Sequence, residues 1–183
     1  MIEFLENTHQ YLYNGVIVPS VSEIMKPLSS NYYKDIDENI LQMACDRGTA
    51  IHIATENIDK QQVYEIKDTW KDYVLQYKKF LAIKNPKIVA LEEKLGCEEY
   101  AGTLDRIYEI DNELWLVDIK TSAKINEKLV SVQLAGYKKL KQDDTIKHFA
   151  VLHLSKTNYK LQEIIPNEEI FNALLQIYLY NNS

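Results

Sequence analysis

The residues best equipped for chemistry lie between Glu92 and Tyr137: Glu92, then Gly102-Thr103-Leu104-Asp105, then Leu116-Val117-Asp118-Ile119-Lys120-Thr121, then Gln133 and Tyr137. Asp105 falls in a β-patterned run over residues 100–110. An Asp111-Asn112 turn follows, and a second run over residues 113–120 carries Asp118. Side chains alternate along a strand, so Leu114, Leu116, Asp118 and Lys120 share one face and Trp115, Val117 and Ile119 the other. Pairing the two runs brings both carboxylates to one end of a sheet, with an ammonium group two residues beyond the second acid. Such a geometry can hold a divalent cation beside a water or a scissile phosphate. Two carboxylates ~4 Å apart repel by about 4 kcal/mol at an effective dielectric of 20, so without a cation one of them takes up a proton. Mg²⁺ or Mn²⁺ removes that conflict, since oxygen-rich ligation suits both ions.

The acid-x-Lys tripeptide alone carries little weight. With 27 acids and 19 lysines in 183 positions, it is expected about three times by chance. It occurs at Glu65-Ile66-Lys67, Glu92-Glu93-Lys94 and Asp118-Ile119-Lys120. Only the last closes a strongly apolar strand and has a second acid upstream across a tight turn.

The elements that must position these residues read in order. Residues 9–13 and 16–18 flank Asn14-Gly15, a two-residue hairpin signal because a type I′ turn wants positive φ at both positions. Ser20 and Glu23 form a capping box for a short helix over 21–25 that Pro27 stops, and 28–36 reads as a polar, tyrosine-bearing loop. Residues 37–58 are helical in pattern, with Ile40, Met43, Ala44, Ile51 and Ala54 available for a buried stripe. Gly48 within it suggests a close backbone approach. A second helix is predicted over 66–83, with Trp70, Val74, Tyr77 and Leu81 at helical spacing. Three strands follow at 87–95, 100–110 and 113–120, then a helix over 127–141, strands at 146–154 and 159–164, and a final helix that Asn167 caps. The expected architecture is an α/β, three-layer sandwich with a central mixed β-sheet flanked by helices. One domain over 1–183 is expected: a hairpin and short helix in 1–27, a helical part in 37–84, a sheet with a crossover helix in 87–164 and a C-terminal helix in 167–183.

Composition bounds the reading. Apolar content of 46% and charged content of 26% are ordinary for a globular chain. No apolar run is long enough to cross a bilayer and no leader pattern opens the chain, so a cytoplasmic location and no membrane partner are expected. Cys45 and Cys97, the only cysteines, are too few for a thiolate-held cluster and read as reduced and buried. The net charge of −6 is uneven. Seven lysines against Glu127, Asp143 and Asp144 make the stretch 120–147 positive, which fits local engagement of a strand; the plainer reading is a solvated helix face.

Taken in order, Pro19-Ser20-Val21-Ser22-Glu23-Ile24, Arg47-Gly48-Thr49-Ala50-Ile51-His52, Glu92, Asp105, Asp118-Ile119-Lys120 and Gln133-x-x-x-Tyr137 form a series. That series resembles the RecB-like and Cas4-like branch of the PD-(D/E)XK nuclease superfamily, and within it the phage and mitochondrial-genome-maintenance exonucleases. The resemblance implies a restriction-endonuclease-like fold and a metal-dependent deoxyribonuclease. It implies that His52, Asp105, Asp118 and the Ile119 carbonyl ligate Mg²⁺ or Mn²⁺, with the imidazole tilting the site toward Mn²⁺. Lys120 would orient the attacking water and Glu92 would serve an outer or second metal. Gln133 and Tyr137 would contact the substrate backbone, with Arg47, Ser20 and Thr121 as further DNA contacts, although Ser20 already has a capping role. Glu93 follows Glu92, and alternation alone does not choose between them. The implied activity is an exonuclease on single-stranded DNA or DNA ends in phage or bacterial recombination, repair or replication, with a helicase or recombinase on another chain. The alternatives are an endonuclease, a Cas4-like end processor lacking the iron–sulfur cluster, or a non-catalytic DNA-binding module. Taken alone, His52 is more often a core or surface histidine, Gln133 and Tyr137 a polar helix face, and Asp105-Arg106 a surface ion pair. His9, His148 and His153 read as structural.

Overall fold

The computed structural model describes residues 1–182, so the segment 167–183 runs one residue, Ser183, outside the described ones. Three short strands, β1 (Ile2–Leu5), β2 (Gln10–Tyr13) and β3 (Val16–Val18), form an antiparallel sheet of their own. Asn14 (φ 51°) and Gly15 (φ 80°) turn between β2 and β3 with positive φ at both positions, as their types demand. β1 was not foreseen. It pairs with β2 and packs Ile2 and Phe4 near Tyr11.

The main sheet has the order β4-β5-β6-β7-β8, from β4 (Lys87–Gly96), β5 (Ala101–Ile110), β6 (Glu113–Lys120), β7 (Ile146–Leu154) and β8 (Tyr159–Glu163). Neighbours are antiparallel except β6 and β7, which run parallel because α5 (Glu127–Lys141) carries the chain over one face between them. Asp111 and Asn112 join β5 to β6 with φ of 55° and 66°. On one face, Leu104, Leu116 and Val151 pack against α1 (Val21–Ile24), α5 and α6 (Glu168–Asn181). On the other, Val117, Ile119 and Leu152 pack against α3 (Glu38–Asp59) and α4 (Lys71–Lys84), through Ile51, Tyr77 and Phe80. The layers are helix, mixed sheet, helix, and the alternation expected along β6 is the one observed.

Four expectations are corrected. Residues 28–33 are not a loop, because α2 (Lys26–Tyr33) runs through them; Pro27 sits in its first turn, where a missing N–H costs nothing, and opens a helix rather than only stopping one. The helix predicted over 66–83 starts later, with a 3-10 turn at Asp68–Trp70 leading into α4. The N-terminal half of α3 stands clear of the core, so Ile40 (61%) and Met43 (67%) are exposed rather than buried, and so is Cys45. Finally, a Cβ on Gly48 would meet nothing nearer than Thr121 Oγ1 at 4.0 Å, so no close approach exists there. One close approach is at Gly102 of β5, where a Cβ would stand 2.9 Å from the Tyr137 ring and 3.2 Å from Val21. Among the described residues no helix is long and apolar enough to cross a membrane.

Candidate metal centre

β5 and β6 separate where their acids lie. Their ladder ends at Arg106 opposite Val117, and beyond it the Asp105 carboxylate replaces the backbone as acceptor, taking the Ile119 N–H at 2.7 Å. The next strand holds the other side of β6, with Asp118 opposite Val151 on β7. Asp118 is therefore fixed on a fully covered strand, at 2% exposure, and Asp105 leans into the gap beside it.

His52 reaches this gap from α3. Its Nε2 lies 3.0 Å from the Ile119 carbonyl and its Nδ1 3.6 Å from Asp105 Oδ2. A carbonyl can only accept, so Nε2 donates to it, and Nδ1 faces the acid. The Ile119 carbonyl is engaged by the imidazole and keeps its second lone pair for a further partner. Glu92 completes the group: one ligand atom each from His52, Glu92 and Asp105 lie within 4.8 Å of one another. Glu92 holds φ at 46°, a left-handed conformation for a non-glycine strand residue. Its neighbour Glu93 instead meets Lys141 of α5 at 2.8 Å, so the two glutamates part company here and Glu92 joins the cluster.

Lys120 donates to Asp118 Oδ1 at 2.9 Å, and its nitrogen is equally close to Oδ2, at 2.8 Å. The second contact is off the donor direction, which leaves buried Oδ2 without a hydrogen bond. Burial raises the Asp118 pKa, Lys120 opposes the rise and Asp105 adds to it. Glu92 is also raised, by burial and then by Asp105, against the pull of Arg106. For Lys120 burial works against the charge, but Asp118 and Asp105 outweigh it and hold the pKa above the ordinary amine value. An imidazole nitrogen and three acids at close quarters suit a divalent cation with mixed oxygen and nitrogen ligands. His52, Glu92 and Asp105 would hold it, with Asp118 at the side.

The remaining predicted contacts divide. Gln133 lines a cavity beside Lys120. Tyr137 is buried behind it and accepts from Gln133 Nε2 at 3.3 Å, so it positions the amide. Arg47 donates Nη2 to the Thr121 carbonyl at 3.1 Å and lies 5.5 Å from the Tyr73 ring centroid, so Arg47 and Thr121 tie α3 to the end of β6. Ser20 Oγ accepts from Glu23 N at 3.1 Å in the expected capping box, while Ser22 reaches the cavity. Four of the seven lysines in 120–147 meet partners at the surface: Lys138 with Glu168, Lys139 with Asn172, Lys141 with Glu93, Lys147 with the Asp144 carbonyl. The plainer reading of that stretch accounts for them.

Arg106 is the residue that sequence reasoning passed over. It is no surface ion pair: fully buried, it donates Nη1 to Glu92 Oε1 at 2.6 Å, Nε to Asp59 Oδ2 at 2.7 Å and Nη2 to Thr55 Oγ1 at 3.3 Å. The Tyr77 hydroxyl meets Asp59 at 2.7 Å from the other side. The signal was present in the spacing of His52, Thr55 and Asp59, which share one face of α3 at i, i+3 and i+7.

Two solved structures are similar to parts of this chain. A protein named SSO0001 is 16% identical over 61% of this chain and 57% of its own, with a TM-score of 0.38. The alkaline exonuclease LHK-Exo from Laribacter hongkongensis is 8% identical over 65% of this chain and 71% of its own, with a TM-score of 0.45. This chain thus spans little more than half the length of the first. No family model matches its sequence, and no curated protein does.

Proposed function

We propose that this chain is a Mg²⁺- or Mn²⁺-dependent deoxyribonuclease of the PD-(D/E)XK type, acting as an exonuclease on single-stranded DNA or DNA ends. The reading extends to one nuclease domain over 1–183 working in phage or bacterial recombination, repair or replication beside a helicase or recombinase. The observation that carries it is the convergence of His52 Nδ1, Glu92 and Asp105 within 4.8 Å, with the Lys120–Asp118 pair on the adjoining strand. A bound divalent cation supplies Lewis acidity toward a phosphoryl oxygen and lowers the pKa of water.

The protein's own groups do the rest. Asp105 orders the β5–β6 gap through the Ile119 N–H, and the Ile119 carbonyl holds the imidazole with Nδ1 turned toward Asp105. Lys120, cationic and tethered to Asp118, is a compact point charge that can hold the attacking water or the attacked phosphate. Gln133, braced by Tyr137, offers an amide to the sugar–phosphate backbone.

The test is degradation of labelled single-stranded and duplex DNA, linear and circular, with and without Mg²⁺ or Mn²⁺. We expect metal-dependent digestion of linear strands that falls by at least ~100-fold in Asp118→Ala and Lys120→Ala, the scale of losing a general acid–base or charge-stabilising group. Digestion by both variants at the parent's rate would overturn the site assignment. Digestion of circles at the rate of linear strands would make the enzyme an endonuclease.

A further inference from the structure

A cavity of about 220 Å³ opens beside Lys120, between α1–α2 and the first turns of α5. At ~30 Å³ per water it has the room of roughly seven waters, enough for one flat heterocycle. Met25, Leu129 and Val130 supply apolar lining, and Gln133 and Lys120 are among its polar groups. Tyr33, from the last turn of α2, closes one side.

Tyr33 has no part in the core. α2 buries none of its residues, and Tyr33 remains 38% exposed beside Tyr32, their rings edge to face with centroids 4.9 Å apart. It nevertheless lines the same cavity as Lys120. A partly exposed aromatic ring that shares a cavity with apolar side chains and a lysine suits a π-system attached to a phosphate. The other lysine of the lining, Lys124, is exposed, where a backbone phosphate would pass.

We propose that this cavity takes the base of the nucleotide adjoining the scissile phosphate, stacked on Tyr33 above Met25, Leu129 and Val130. The inference rests on the nuclease reading and sharpens it: a base enters only when unstacked and unpaired, so the cavity selects single strands. A duplex must first spend unpairing and unstacking energy. Stacking on one aromatic side chain is worth roughly 5- to 150-fold in affinity per base and tolerates any sequence.

The experiment compares the full-length protein with Tyr33→Ala and Tyr33→Phe. Fluorescence anisotropy is read in EDTA on a labelled single strand, an abasic strand of equal length and a blunt duplex, each with and without a 5′ phosphate. Tyr33→Ala should bind the normal strand about 10-fold more weakly, the abasic strand as the parent does, and the duplex unchanged; Tyr33→Phe should restore the loss. With metal present, KM for the single strand should rise in Tyr33→Ala while kcat holds. An equal loss on normal and abasic strands, no loss at all, or affinity that follows the 5′ phosphate instead of the base would overturn the inference. Any of these alongside metal-dependent digestion by the parent leaves the nuclease reading standing. A parent that digests nothing ends that reading, while the anisotropy still decides whether the cavity takes a base.

Discussion

Arg106 concentrates the residue-scale physics of this site. One guanidinium, with no exposed surface, spans Glu92 on β4 and Asp59 on α3. Burial raises the Asp59 pKa, and the Tyr77 hydroxyl and Arg106 oppose it. Removing the cation would strand both acids. Arg106→Met should therefore cost about 3–5 kcal/mol in urea denaturation, the penalty for breaking a buried pair from one side. Arg106→Lys keeps the charge but loses the planar fork, and should recover part of the stability. Because Arg106 fixes one oxygen of Glu92, Mn²⁺ affinity measured by titration should fall roughly 10- to 100-fold in Arg106→Lys, as for other groups that orient a ligand. A lysine variant with parental Mn²⁺ affinity would show that Glu92 needs no such support.

At the scale of elements, the site exists because β5 and β6 stop pairing one residue before their acids, and because α3 crosses that gap. Capping sets where the helices begin. Asp37 accepts from Asn39 and Ile40 at the head of α3, Asn126 caps α5 and Asn167 caps α6. Ser20 caps α1 and, through the bridge to Ala101, sets that helix against β5 beside Gly102. Ser20→Ala should cost about 1 kcal/mol of stability, the usual value of an N-cap, and leave the cleavage rate per folded molecule unchanged. A cleavage defect in a fully folded Ser20→Ala protein would instead give the hydroxyl a direct part in DNA binding.

Across the whole molecule, one surface cluster predicts a pH response away from the metal centre. His148 on β7 lies 2.8 Å from Glu113 on β6 and 3.1 Å from Glu163 on β8, stacked on Trp115 at 4.0 Å. The Glu163 and then Glu113 hydrogen bonds raise its pKa above the ordinary imidazole value. A cationic group whose folded pKa is raised contributes its full stability below the unfolded value, about 6.5, and loses it as pH climbs through the folded pKa. Stability should therefore decline modestly as pH rises past neutral, and His148→Gln should flatten that part of the profile in thermal melts followed between about pH 5 and 9. An unchanged slope in the variant would mean the three-strand cluster contributes nothing measurable, as exposed ion pairs often do.

Local rules carried a good part of this protein. Alternation along β6 put Asp118 and Lys120 on one face. Two-residue turns at Asn14-Gly15 and Asp111-Asn112 followed from residues that tolerate positive φ. The helical pattern marked α5, and the Asn167 cap marked the start of α6. These were legible because each depends on neighbours in the chain. What lay beyond that reach needed packing between distant elements. The choice of Glu92 over Glu93 depends on a backbone kink and on Arg106 across the strand, which no periodicity encodes. The exposure of Ile40 and Met43, the helical course of α2 and the cavity under Tyr33 depend on which surfaces the sheet left uncovered. Spacing along the chain can place an acid, an imidazole and a lysine on their own elements, but the distance between elements is settled only when the apolar faces close on one another.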